Sequence, residues 1–73
     1  MNNSWNKFKY VHFEIDDASI LVLLIHCRIN YKVKFLDDDI RVTIKLDGLT
    51  GSKKILLQSM FIKEEIYAIS FIS

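Results

Sequence analysis

The sequence predicts an all-β fold, a five-stranded antiparallel meander that closes into a small half-open barrel or bends into a strongly curved sheet. Three observations carry this. Apolar residues take every second position from Leu21 through Leu23, Ile25, Cys27, Ile29, Tyr31 and Val33 to Phe35, a set that no helix lines up on one face. Alternation resumes beyond Asp37, Asp38 and Asp39, with Ile40, Val42, Ile44 and Leu46 set against Arg41, Thr43, Lys45 and Asp47. No amphipathic helix of useful length interrupts the pattern, although 2–10 has room for a short N-terminal helical turn.

The first strand is read in Val11, Phe13 and Ile15 alternating with Tyr10, His12 and Glu14, and 16–19 supplies a turn. The long strand over 21–35 and its successor over 40–46 form a hairpin, since Asp is a favoured turn residue. A loop of two residues or one of four keeps both apolar sets on the same side, and both registers stay open; a loop of three requires a bulge. Gly48 and Gly51 mark a longer loop, followed by a β-rich segment over 54–62, a turn at 63–65 and a last strand over 66–72. The chain reads as one domain over 1–73, with 1–6 a loose N-terminus that Trp5 could pin. Short strands in this order are the pattern of small SH3 or Sm-like barrels.

With 73 residues, 51% of them hydrophobic, the chain has more apolar side chain than a sheet of this size can enclose, so part of it is expected at a contact with something else. Ile20, Val22 and Leu24 lie on the opposite strand face from Leu21, Leu23 and Ile25, and Ile66, Ile69, Phe71 and Ile72 spread over both faces of the last strand. These residues are the expected oligomer or partner interface. The lone Cys27 excludes an intrachain disulfide framework. No signal-peptide pattern opens the chain, and the apolar run 20–25 is too short to span a bilayer. A cytoplasmic protein without a membrane partner is therefore expected. The richness in Ile, Lys and Asn resembles the coding bias of an AT-rich genome, which fits low-GC bacteria and their phages.

Ten basic against nine acidic residues leave a net charge of +1, so nucleic-acid binding has to be local. The outward face of the long strand reads His26, Arg28, Asn30, Lys32 and Lys34, and Arg41, Thr43 and Lys45 follow on its neighbour. Arg28, Lys32, Lys34, Arg41 and Lys45 form a candidate anion or nucleic-acid site, with a merely solvated sheet face as the bland alternative. Stacking on bases needs Trp5, Phe8 or Tyr10 to stand beside this stripe. The pairs Asp16–Asp17 and the triplet 37–39 are explained by turns and lack an EF-hand spacing. His12, His26 and Cys27 do not make a zinc site, and Cys27 reads as an inert thiol on an apolar face. Neither a catalytic triad nor a P-loop is present, so no catalytic residue, metal or cofactor is expected.

Residues 58–71, Q-S-M-F-I-K-E-E-I-Y-A-I-S-F, resemble the end of the bacterial RNA chaperone Hfq. Ile62-Lys63-Glu64 stands where that family's Tyr-Lys-His triplet would, with no counterpart of its histidine. The resemblance implies shared architecture and carries over none of that family's RNA chemistry.

The function expected is that of a non-catalytic, oligomeric binding protein, a homodimer or small ring that contacts a further protein, such as a small phage or mobile-element inhibitor of a host protein. The alternative is RNA or nucleotide binding through the basic face of the 21–46 hairpin.

Overall fold

In the computed structural model, which describes residues 5, 7–66 and 68–73, alternation becomes strand only where it is strict. Strands β1 (Tyr10–Ile15) and β3 (Ile40–Lys45) pair antiparallel, with Phe13 opposite Val42. They bury Val11, Phe13, Ile15, Val42 and Ile44 on one side. Tyr10, His12, Glu14, Arg41, Thr43 and Lys45 point to the other, as the two-residue pleat requires. Strand β2 (Lys32–Phe35) forms the hairpin with β3, placing Val33 opposite Val42 and Phe35 opposite Ile40. The register is therefore that of the four-residue loop, 36–39, closed by the Leu36 N–H donating to the Asp39 carbonyl at 2.8 Å. Strand β4 (Ser70–Ile72) pairs with the free side of β1.

An antiparallel sheet is present as expected, but it has four strands in the order β2-β3-β1-β4. The five-stranded meander and the half-open SH3 or Sm-like barrel are corrected, because two helices occupy segments read as strand. Helix α1 (Ser19–His26) takes the first half of the expected long strand. Its residues are apolar at both parities, so the alternation of Leu21, Leu23 and Ile25 was half of a continuous apolar run. A helix resolves that run by sending Ile20 and Leu24, four apart, to the core. Just ahead of it, the Asp17 carboxylate accepts the Ser19 N–H at 2.7 Å, satisfying one donor of the first turn.

Helix α2 (Gly51–Lys63) covers the segment read as β-rich. Thr50, in extended backbone, caps it by accepting the Lys53 N–H on its hydroxyl at 3.2 Å. Leu57, Met60 and Phe61 make its buried stripe at helical spacing. The likeness to Hfq ends here, since Gln58, Ile62 and Lys63 belong to α2 and only the last residues of that stretch are strand.

Both helices stop in the same way. Arg28 and Glu65 adopt left-handed backbone, with φ of 56° and 53°. The following residues fold back, the Ile29 N–H donating to the Leu24 carbonyl at 2.9 Å and the Ile66 N–H to that of Phe61 at 3.0 Å. This satisfies late carbonyls of each helix and sets Ile29 against Leu24 in the interior. Lys53 ties the start of α2 to the end of α1 by donating to the Arg28 carbonyl at 2.8 Å.

The connectivity β1-α1-β2-β3-α2-β4 interleaves two βαβ units, each helix crossing from a central strand to an edge. Ile20, Leu24, Leu57, Met60 and Phe61 share one core with the inward residues of β1 and β3, so both helices lie on the same face of the sheet. An aromatic group closes one part of that core. Phe13 stands 4.8 Å edge-on from Phe61, and Trp5 stands 5.2 Å from Phe71, itself 5.3 Å from Phe8. Burial of each such ring or of a leucine contributes about 1.5–3 kcal/mol. The expected loose terminus 1–6 lies outside the described residues except for Trp5, which is buried.

Candidate functional site

With both helices on one side, the opposite face of the sheet is left open. Lys32 and Lys34 from β2, Arg41 and Lys45 from β3, and Tyr10 from β1 are exposed there. Register places Lys34 opposite Arg41 and Lys32 opposite Thr43. Four of the five residues expected to bind anions are therefore brought together. The fifth is not: Arg28 lies beyond the end of α1, and His26 is on that helix, so the stripe begins only at Asn30. The correction has the same cause as the loss of the long strand.

Glu14 is the counter-charge on this face, its carboxylate 3.3 Å from the Arg41 guanidinium, and Asp47 lies 4.0 Å from the Lys45 ammonium. Exposed pairs of this kind are weak, on the order of 0–1 kcal/mol. His12 Nδ1 and the Thr43 hydroxyl are 2.7 Å apart and link the two central strands. Tyr10, Asn30, Tyr31, Lys32, Thr43 and Lys45 line a hollow of about 330 Å³. Trp5 and Phe8 take no part, being drawn into the aromatic group beside Phe71.

The expected interface residues divide. Ile20 and Leu24 are core residues and cannot serve as outward contacts, whereas Val22 is 52% exposed. Ile66, Ile69 and Phe71 pack half-buried against the core, and Ile72 is exposed on the open sheet face. The outward apolar surface lies instead on the helices, in residues that strand periodicity misassigned. Val22 and Ile25 point outward from α1, and Ile55 and Ile62, seven apart on α2, are 53% and 79% exposed. Leu23 and Cys27 face Leu56, Met60 and Lys63 across a shallow groove of about 200 Å³ between the helices. The signal that finds this surface is the pair of stripes Ile20/Leu24 and Leu57/Met60/Phe61, which fix what each helix turns inward and hence what it leaves outside.

A third hollow, of about 200 Å³, is lined by Glu14, Asp16, Asp17, Glu64 and Glu65 among others. Among the described residues, no group of three or more His, Cys, Asp or Glu is arranged to hold a metal ion. Asp17 is held below its ordinary value of 3.8 by the bond from the Ser19 backbone, reinforced by the Ser19 side chain. Among the described residues, no helix is long and apolar enough to cross a membrane. Comparison with protein-family models, with curated proteins and with solved structures gives no match.

Proposed function

We propose that this chain is a non-catalytic binding protein that works as a homodimer, joined through the outer face of α1 and α2. The observation that carries this is α1 itself. Between Ile20 and Ile25 it is apolar around its whole circumference, which is the composition of a buried helix, yet one side is covered by the core and the other by nothing among the described residues. Val22 and Ile25 are exposed on α1 and Ile55 and Ile62 on α2, and Leu23 and Leu56 line the groove between the helices.

A second copy suits this surface because a two-fold contact must be self-complementary. The groove ends in Lys63 and Glu64 side by side, so two copies facing each other across a two-fold axis can exchange opposite charges around an apolar centre. Self-association through the helices also leaves the sheet face free for another ligand.

Light scattering at 10–100 micromolar, a range chosen to reach dimers of about micromolar affinity, tests the proposal. The wild type is expected at twice the chain mass, and Ile55→Asp with Ile62→Asp at the single mass with an unchanged far-UV spectrum. A wild type that stays monomeric throughout that range overturns it.

A further inference from the structure

The open sheet face carries a second site, independent of the helical contact. We infer that the hollow between Tyr10, Tyr31, Lys32 and Lys45 binds one nucleotide unit of single-stranded nucleic acid, its base against the tyrosine rings and its phosphate on the lysines.

Three features point there. The first is charge placement, since the chain as a whole is only +1 yet Lys32, Lys34, Arg41 and Lys45 are gathered on one face against Glu14 and Asp47. Glu14 answers Arg41, and Lys32 and Lys34 have no acidic partner among the described residues. A cluster of like charges across paired strands opposes folding, and an anion bound there relieves that repulsion. The second is the aromatic component. Tyr10 is exposed on the rim of the hollow, beside Tyr31, which packs half-buried against the core, and a phosphate-only site needs no ring. Base stacking on aromatic side chains is the sequence-tolerant part of single-strand binding.

The third is size and openness. About 330 Å³ lies at the low end of the roughly 300–1,000 Å³ of small-ligand sites, enough for a base and sugar. A second hollow of about 300 Å³, lined by His12, Arg41, Ser70 and the Arg41-paired Glu14 among others, lies on the same sheet face. A strand entering at Lys45 therefore has room for its next unit beside Arg41, whereas a free nucleotide uses only the first hollow. Asn30 and Thr43 supply polar groups beside the base.

The test is fluorescence anisotropy with a labelled 10-mer of deoxythymidine at low salt, with thymidine monophosphate, inorganic polyphosphate and a duplex of equal length as competitors. Wild type is expected to bind the 10-mer, and Lys32→Glu with Lys45→Glu to weaken it at least tenfold and to flatten the salt dependence by about 1.4 in the log-log slope. Tyr10→Ser is expected to weaken the 10-mer at least fivefold while leaving polyphosphate competition unchanged. All three substituted residues are exposed, and an unchanged far-UV spectrum verifies the fold. Ile62→Asp, on the opposite side of the molecule, is expected to bind as wild type, which separates this site from self-association. Absence of binding overturns the inference, as does polyphosphate or duplex competing as well as the 10-mer. Monophosphate binding as tightly as the 10-mer overturns the strand in favour of a free nucleotide.

Discussion

Two surfaces of this molecule face solvent with opposite chemistry, and the element beneath each explains why. On the sheet, the outward positions of β2 and β3 are Lys32, Lys34, Arg41, Thr43 and Lys45, so the pleat separates polar from apolar almost completely. On the helices, the exposed positions include Val22, Ile25, Ile55 and Ile62, interspersed with polar Ser19, His26, Ser52, Ser59 and Lys63. One surface is polar and basic, the other largely apolar. Local amphipathicity is satisfied within the chain in β1 and β3, but not in α1 or at the edge strand β2, where Phe35 stays 73% exposed.

The comparison breaks most sharply within α1. If 20–24 were strand, Val22 and Leu24 would share a face and respond alike to truncation. In the helix Leu24 is fully buried and Val22 is half exposed. Leu24→Ala is expected to cost about 2–5 kcal/mol and Val22→Ala within about 0.5 kcal/mol, read from urea unfolding below the dimerisation range. Equal losses would restore the strand.

A smaller effect, of opposite sign, is expected where the helices end. Arg28 and Glu65 hold left-handed backbone that suits glycine. Arg28→Gly and Glu65→Gly each relieve about 1 kcal/mol of that strain and should raise the unfolding midpoint, since the backbone carbonyl that Lys53 uses is kept. A lowered midpoint in both would show that these turns are not the helix stops described.

The smallest effect concerns acid. The Asp17 carboxylate is stabilised in its charged form by the Ser19 N–H, so its folded value lies below 3.8. Its contribution is then fully present above that ordinary value and disappears as the pH falls through the lowered one. Wild type is expected to melt slightly above Asp17→Ala at neutral pH and level with it near pH 2, a range set by ordinary carboxylate titration at about 4. A difference that persists in acid would assign Asp17 another role.

Much of the sheet was legible. Val11/Phe13/Ile15 and Val42/Ile44 alternate cleanly and became central strands, and the triplet of aspartates marked the hairpin whose register then placed Lys34 opposite Arg41. The helices were not legible by the same rule because neither carries the usual stop. A left-handed residue that is glycine announces a helix end, and here arginine and glutamate stand in its place. The run 20–25 satisfied the strand template because an all-apolar segment satisfies any template. Lys32, Lys34, Arg41 and Lys45 share one sheet face as their spacing implied, Arg28 does not, and the helical surface needed the fold before its members could be sorted from the core.

The middle position of β1 has a consequence for how the molecule comes into being. Strand β1 is clasped by β3 on one flank and by β4, distant from it in sequence, on the other. Until Ser70–Ile72 docks, Val11 and His12 keep a bare hydrogen-bonding edge, and Trp5 and Phe8 wait for Phe71. Pairings this remote in sequence form slowly, so a folding chain keeps this seam open until β4 docks against β1.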